Sequence, residues 1–188
     1  MNVSKLVIGL TGMPGAGKTV FVETAKTVGY VAVSMGDVVR EETQRRGLEL
    51  NPQNVGMVML DLRSKGGSNV IAERCVPKIE TNNSDRIVID GLRSLNEVAV
   101  FKAHFAGFKL VAVHAASVTR FARLSLRGRS DDPKTFEVFY ERDMRELSVG
   151  LGNAIALSDH VTVNNGGIEV FNTEVKKYLE MIEATWTP

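Results

Sequence analysis

The sequence predicts an α/β three-layer sandwich in which a five-stranded parallel sheet carries helices on both faces. Three observations predict it. Five short apolar runs recur along the chain, longer segments with helical start signals separate them, and the first run passes straight into a glycine-rich turn. Leu6 to Thr11 is nearly continuous in apolar residues, as in a strand buried on both faces. Similar runs at Val31–Ser34, Ile87–Asp90, Leu110–His114 and His160–Val163 supply the other four strands. Strands that alternate with helices pair in parallel, because each crossover helix returns the chain to the same end of the sheet.

The helices announce their starts. Lys18 opens the first directly after the glycine-rich turn. Asn51-Pro52 places a capping side chain before a proline in the first turn. Ser94-Leu-Asn-Glu97 has the spacing of a capping box. Asp132-Pro133 repeats the cap-then-proline signal ahead of a helix expected over Lys134–Leu147. No linker, internal repeat or low-complexity tract breaks the sequence, so residues 1–188 read as one domain. Two segments are expected to stand off from the sheet: 36–83, mostly helix, as a small protruding subdomain, and 120–134 at the far side of the site.

Composition narrows the function. The chain has 188 residues, 44% of them hydrophobic and 24% charged, the proportions of an ordinary globular domain. With 23 basic and 22 acidic residues the net charge is +1, which argues against a general affinity for nucleic acid. The single cysteine, Cys75, lies in an apolar-periodic stretch and reads as a small buried residue. The first residues lack the layout of a signal peptide, and no apolar run is long enough to span a bilayer. A cytoplasmic protein is expected, with no membrane partner.

The chemistry starts at Gly12-Met13-Pro14-Gly15-Ala16-Gly17-Lys18-Thr19, a complete G-x-x-x-x-G-K-[ST] phosphate loop between a predicted buried strand and a predicted helix. The glycines let the backbone curl so that its N–H groups point inward at phosphate oxygens. The helix adds the positive end of its dipole. Lys18 is expected to reach the β- and γ-phosphates of ATP, and the Thr19 hydroxyl to ligate Mg2+. Asp90 ends a buried strand. It reads either as the second magnesium residue or as the acid that opens an Asp90-Gly91 turn.

Ser34-Met-Gly-Asp37-Val-Val-Arg40 follows the second strand; Asp37 is placed to cap a helix, with Arg40 one turn on. Arg120, Arg123 and Arg127, three and four apart, share one face if helical, and Arg129-Ser130-Asp131-Asp132 follows after Gly128. Guanidinium forks match phosphate oxygens two at a time and neutralise charge on a transferred phosphoryl group. A solvated basic face is the other reading of this run.

These segments resemble an archaeal family of P-loop kinases related to adenylate kinase and dephospho-CoA kinase. Ser34–Arg40 is similar to the acceptor-binding start of adenylate kinases, where the arginine holds the acceptor's phosphate. Asp90-Gly91-Leu92-Arg93 resembles their Asp-Gly-Phe-Pro-Arg, although the proline is absent and Arg93 comes one residue earlier. Arg127-Gly-Arg129-Ser-Asp131-Asp132 resembles their lid. The resemblance implies a nucleotide-kinase-like member of the P-loop nucleoside triphosphate hydrolase fold, with 36–83 as the acceptor-binding segment and 120–134 as the lid. It implies that Arg40 and Arg93, with Asp37, bind a small-molecule phosphate acceptor, and that Arg127 and Arg129 act in catalysis beside Lys18. Arg123 closes over the adenine or lies on the surface. Arg142 or Arg145 supplies a further arginine. The loop after the last strand, Asn164 to Ile168, corresponds to one that packs on the adenine in related kinases, and reads equally as a plain strand–turn–helix.

The expected activity is transfer of the γ-phosphate of ATP, with Mg2+, to a small nucleotide-type acceptor, as in nucleoside monophosphate kinases, by a monomer or homodimer. Two alternatives stay open. In a dephospho-CoA kinase-like reaction the acceptor is a hydroxyl and Asp37 takes its proton. In an ATP-hydrolysing switch there is no small acceptor; the guanine-reading Asn-Lys-x-Asp of GTPase switches is absent from the sequence.

Overall fold

A computed structural model describes residues 5–129 and 132–186. In chain order the elements are β1 (Leu6–Thr11), α1 (Lys18–Thr27), β2 (Val31–Ser34), α2 (Met35–Arg45), α3 (Pro52–Gly66), α4 (Val70–Glu80) and β3 (Arg86–Asp90). There follow α5 (Leu95–His104), β4 (Gly107–His114), α6 (Ser117–Arg127), α7 (Phe136–Ser148), α8 (Leu151–Ala156), β5 (His160–Val163) and α9 (Ile168–Thr185). The strands form one parallel sheet in the order β2-β3-β1-β4-β5. The connection from β1 runs one way across the sheet, to β2, and every later connection runs the other way. The phosphate loop therefore leaves a switch point at the carboxyl end of the central strand β1, where open α/β sheets bind ligands.

Alternation along the strands builds two cores. Leu6, Ile8 and Leu10 of β1 face α1 and α9, where they pack with Phe21, Phe171 and Leu179. Val7, with Ile87 and Ile89 of β3, faces α2 to α5. Gly9 has a steric purpose: a β-carbon there would lie 2.6 Å from Phe108 Cζ, so the missing side chain makes room for that ring and for Leu92. Phe108 also accounts for β4 starting at Gly107, three residues before the expected Leu110; Gly107 to Lys109 pair with Leu6 to Ile8.

Residues 36–83 do not protrude as expected. Val38, Val58, Leu62, Ile71 and Cys75 join the same core as Val7 and Ile87. Three short amphipathic helices bury too little among themselves, and the sheet face supplies the rest. Burial pushes the Cys75 thiol up to about 12, in keeping with a packing role. Trp186 packs against the α1/α9 core.

Asn51 caps α3 by accepting from Asn54 N at 2.9 Å. Ser94 accepts from Glu97 N at 3.3 Å, but the expected capping box is incomplete, because Glu97 takes the N–H of Arg93 rather than that of Ser94. The expected Asp132-Pro133 start is also corrected. Thr135 is the N-cap of α7, which begins at Phe136, since the Asp132 carboxylate is drawn away to Arg127 and to the backbone of Arg129.

Candidate active site

The loop from Gly12 to Gly17 turns the chain from β1 into α1. Gly12, Gly15 and Gly17 all have positive φ. A β-carbon on Gly12 would overlap the Val113 carbonyl oxygen, and one on Gly17 would overlap the Asn164 amide. Backbone conformation and space therefore both demand glycine here. Ala16 N donates to Met13 O at 3.1 Å, closing the turn. Asn164, just past β5, braces it: its Nδ2 donates to Ala16 O at 2.9 Å, and its Oδ1 accepts from Arg123 Nη2 at 3.2 Å.

Lys18 lies across the loop, donating to Gly12 O and, at 3.3 Å, to Met13 O. Burial lowers its pKa to about 8, with Arg93 and Arg120 pushing the same way and Asp90 and Glu146 opposing. The buried charge disfavours the fold below about pH 8, and stability rises between pH 8 and the lysine's unfolded value as the proton leaves. Phosphate binding needs the charged form. Affinity for MgATP is therefore expected to fall above about pH 8, at up to about tenfold per pH unit, while Lys18→Arg stays flat. Titration calorimetry at a series of pH values checks this.

The loop floors a cavity of about 630 Å³, inside the range of small-molecule sites. Of the expected residues, Gly12, Pro14, Gly15, Gly17, Lys18, Thr19, Asp90, Arg93, Arg40, Arg123, Arg127 and Arg129 line it. Met13 and Ala16 belong to the loop without lining the cavity; Ala16 is fully buried. Asp90 Oδ1 is buried with no hydrogen-bond donor, and the Thr19 side chain opens onto the same space. An orphaned carboxylate oxygen and a hydroxyl on one cavity wall are oxygen donors of the kind that suits a hard divalent cation such as Mg2+.

Two expected residues lie elsewhere. Asp37 does not line the cavity. Ser34 takes the N-cap position, and Asp37, in the first turn of α2, is exposed and accepts from Arg40 Nε at 3.1 Å. The spacing of three residues that suggested a shared task instead produces a local ion pair. Arg120 is no part of a solvated or lid face. It is buried, bonds Asp143 with two nitrogens at 2.9 and 2.6 Å, and lies over the Phe139 ring at 4.9 Å. It also donates to Pro14 O at 3.2 Å, tying α6 and α7 to the phosphate loop. Its acidic partner comes from the next helix, which the run itself could not reveal. Ser130 and Asp131 of the lid string lie outside the described residues.

The cavity adds Arg63 and Glu146, which no motif singled out, and Glu97, expected only in a capping box. Arg63 and Glu97 form a pair at 3.2 Å, and Arg93 pairs with Glu146 at the same distance. Arg142, rather than Arg145, is on the cavity wall, 3.8 Å from Asp132. The i,i+4 spacing of Arg142 and Glu146 on α7 was the available signal, since it puts both on one helical face. Among the described residues no helix is long and apolar enough to cross a membrane.

The chain is similar to known proteins. A family model described as AAA domain matches residues 11–139. A UPF0200 protein of Methanocaldococcus jannaschii is 48% identical over 179 residues, covering 94% of this chain and 90% of that one. TT1252 from Thermus thermophilus has a similar structure, with a TM-score of 0.65, 15% identity and coverage of 99% and 100%. Shikimate kinase from Acinetobacter baumannii, in complex with shikimate, gives 0.61 at 13% identity, covering 98% of this chain and 96% of its own. At such identities these two structures share the fold, which is that of P-loop kinases. With a family model spanning the loop and most of the sheet, and a relative this similar along nearly its whole length, the chain belongs to the P-loop family described by that model and, more narrowly, to the UPF0200 family.

Proposed function

We propose that the protein is an ATP- and magnesium-dependent phosphotransferase that moves the γ-phosphate of ATP to a small nucleotide-type acceptor in the cytoplasm. One observation carries the reading. The described wall of a single cavity sets eight cationic side chains, Lys18 and seven arginines, against three carboxylates, with a phosphate loop as the floor. Such an excess is built for more than one anionic group.

The chain's own residues divide the work. The loop amides and Lys18 bind the triphosphate. Thr19 and Asp90 would hold Mg2+, which when bound offsets charge on the β- and γ-phosphates. Arg40 and Arg93 face the acceptor. Arg127 and Arg129 line the same cavity, and there they would oppose charge on the migrating group and exclude water. Phosphoryl transfer asks mainly for alignment and charge neutralisation, which arginines on several elements supply. The fold shared with a shikimate kinase in complex with shikimate supports a small-molecule acceptor. A nucleoside monophosphate meets the description, and so does an acceptor that carries a phosphate and a free hydroxyl, as in the dephospho-CoA kinase reaction.

A panel of nucleosides, nucleoside monophosphates and coenzyme precursors, incubated with γ-labelled ATP and Mg2+, tests the reading. Label in one acceptor class is expected. Slow release of labelled phosphate, indifferent to every acceptor, is the outcome for an ATP-driven switch and contradicts the phosphotransferase.

A further inference from the structure

The carboxylates of an anion-binding cavity need a reason, because each weakens phosphate binding by like-charge repulsion. Two of the three on the described wall have one. Asp90 suits the metal. Glu97 is 1% exposed, and its two oxygens are taken by Arg93 N at 2.7 Å and Arg63 Nη2 at 3.2 Å, so it braces the turn after β3. Glu146 is different. It projects from α7 into the cavity, its side chain remains 15% exposed, and both its oxygens share one nitrogen, Arg93 Nη1, at 3.2 Å. It is near enough to Lys18 to act on that charge. The groups around it are Arg93 from the loop after β3, Lys18 and Asp90 beside the phosphate loop, and Arg142 one turn back on α7.

We infer that the attacking group of the acceptor is a hydroxyl and that Glu146 takes its proton; this rests on the phosphotransferase reading. Asp37, the acid that the sequence offered for the task, points out of the cavity and is bound to Arg40. A phosphate brought to Arg93 as nucleophile meets the Glu146 charge, whereas a neutral hydroxyl there gains a hydrogen-bond acceptor. Arg40, whose partner lies outside the cavity, keeps the acceptor's own anionic group. In the step, the hydroxyl proton passes to a Glu146 carboxylate oxygen while the hydroxyl oxygen bonds to the γ-phosphorus. The bond from that phosphorus to the β,γ-bridging oxygen breaks, ADP leaves with the electron pair, and Glu146 later loses the proton to water. The acceptor class is thus a small molecule bearing both a phosphate and a free hydroxyl.

The test uses AMP and CMP, each of which offers both a phosphate and free ribose hydroxyls, and dephospho-CoA, which offers a free ribose hydroxyl, with γ-labelled ATP and the full chain. Phosphorus NMR reads the new linkage. A phosphomonoester is expected, with Glu146→Gln lowering kcat by about 10²- to 10⁴-fold. KM for ATP should stay within about twofold, as for a group used in proton transfer alone. The acidic limb of the pH–rate profile should disappear in Glu146→Gln and return in Glu146→Asp. A phosphoanhydride product keeps the phosphotransferase and overturns the hydroxyl inference. So does a Glu146→Gln variant that changes KM but keeps kcat and the acidic limb, since that is the mark of a residue that only positions Arg93. Absence of product from every acceptor overturns both.

Discussion

Lys18→Ala is expected to lower turnover by on the order of 10²–10³-fold or more, as removal of a preorganised charge at a reacting group does. It should also weaken MgATP by roughly 10- to 100-fold, the scale of one charge-assisted hydrogen bond. The ammonium group is held by Gly12 O and Met13 O, on the rim of the glycine curl, and among the described residues no other lysine lines the cavity. The fold should survive, because the side chain contributes to neither core cluster. Circular dichroism and a thermal melt beside the calorimetric titration separate loss of binding from loss of structure. A variant that binds MgATP as tightly as the parent contradicts the assignment.

Asp143→Ala carries the largest expected cost to stability. Arg120 is 5% exposed and Asp143 6% exposed, and removing the acid leaves a guanidinium buried without its counter-charge. Breaking such a pair costs about 3–5 kcal/mol, which lowers Tm by roughly 10 °C for a chain of this size. Replacing both partners, Arg120→Met with Asp143→Leu, should recover most of it, since two apolar groups leave no stranded charge. The double variant still lacks the Arg120 bond to Pro14 O, so it should melt like the parent yet bind MgATP more weakly. Parallel melts and titrations of the three variants check both halves. Equal melts for parent and single variant contradict the buried-charge account.

The pair also shows what was legible in the sequence. A complete phosphate loop between an apolar run and a helix is a local pattern, and the structure places it at the carboxyl end of β1 as that pattern requires. β1, β3 and β4 were legible for the same reason, because a strand buried on both faces is apolar throughout; the edge strands β2 and β5 are partly exposed and showed only as short apolar runs. Arg120 and Arg127 look alike in sequence, seven residues apart on one helix, yet one is sealed against Asp143 and the other reaches the cavity. Nothing local distinguishes them, since the acid that sorts them lies on another helix. Arg63–Glu97 and Arg93–Glu146 are contacts across 34 and 53 residues, and neither leaves a motif. Asp37 went the other way. Its surroundings resemble a binding segment, and the helix turned its carboxylate to Arg40. Short-range patterning therefore revealed the glycine-rich floor of the cavity and named Arg40 and Arg93 on its wall. The Arg63–Glu97 and Arg93–Glu146 pairs are assembled by long-range packing and emerged only with the fold.

Everything rests on the curl of glycines and Lys18 receiving a polyphosphate. Isothermal calorimetry of the full chain with ATP, in the presence and absence of Mg2+, tests that most directly. Saturable one-to-one binding, strengthened by Mg2+ and lost in Lys18→Ala, is the expected result. No detectable heat with ATP, GTP or CTP in the presence of Mg2+, or binding that ignores the Lys18 substitution, contradicts it.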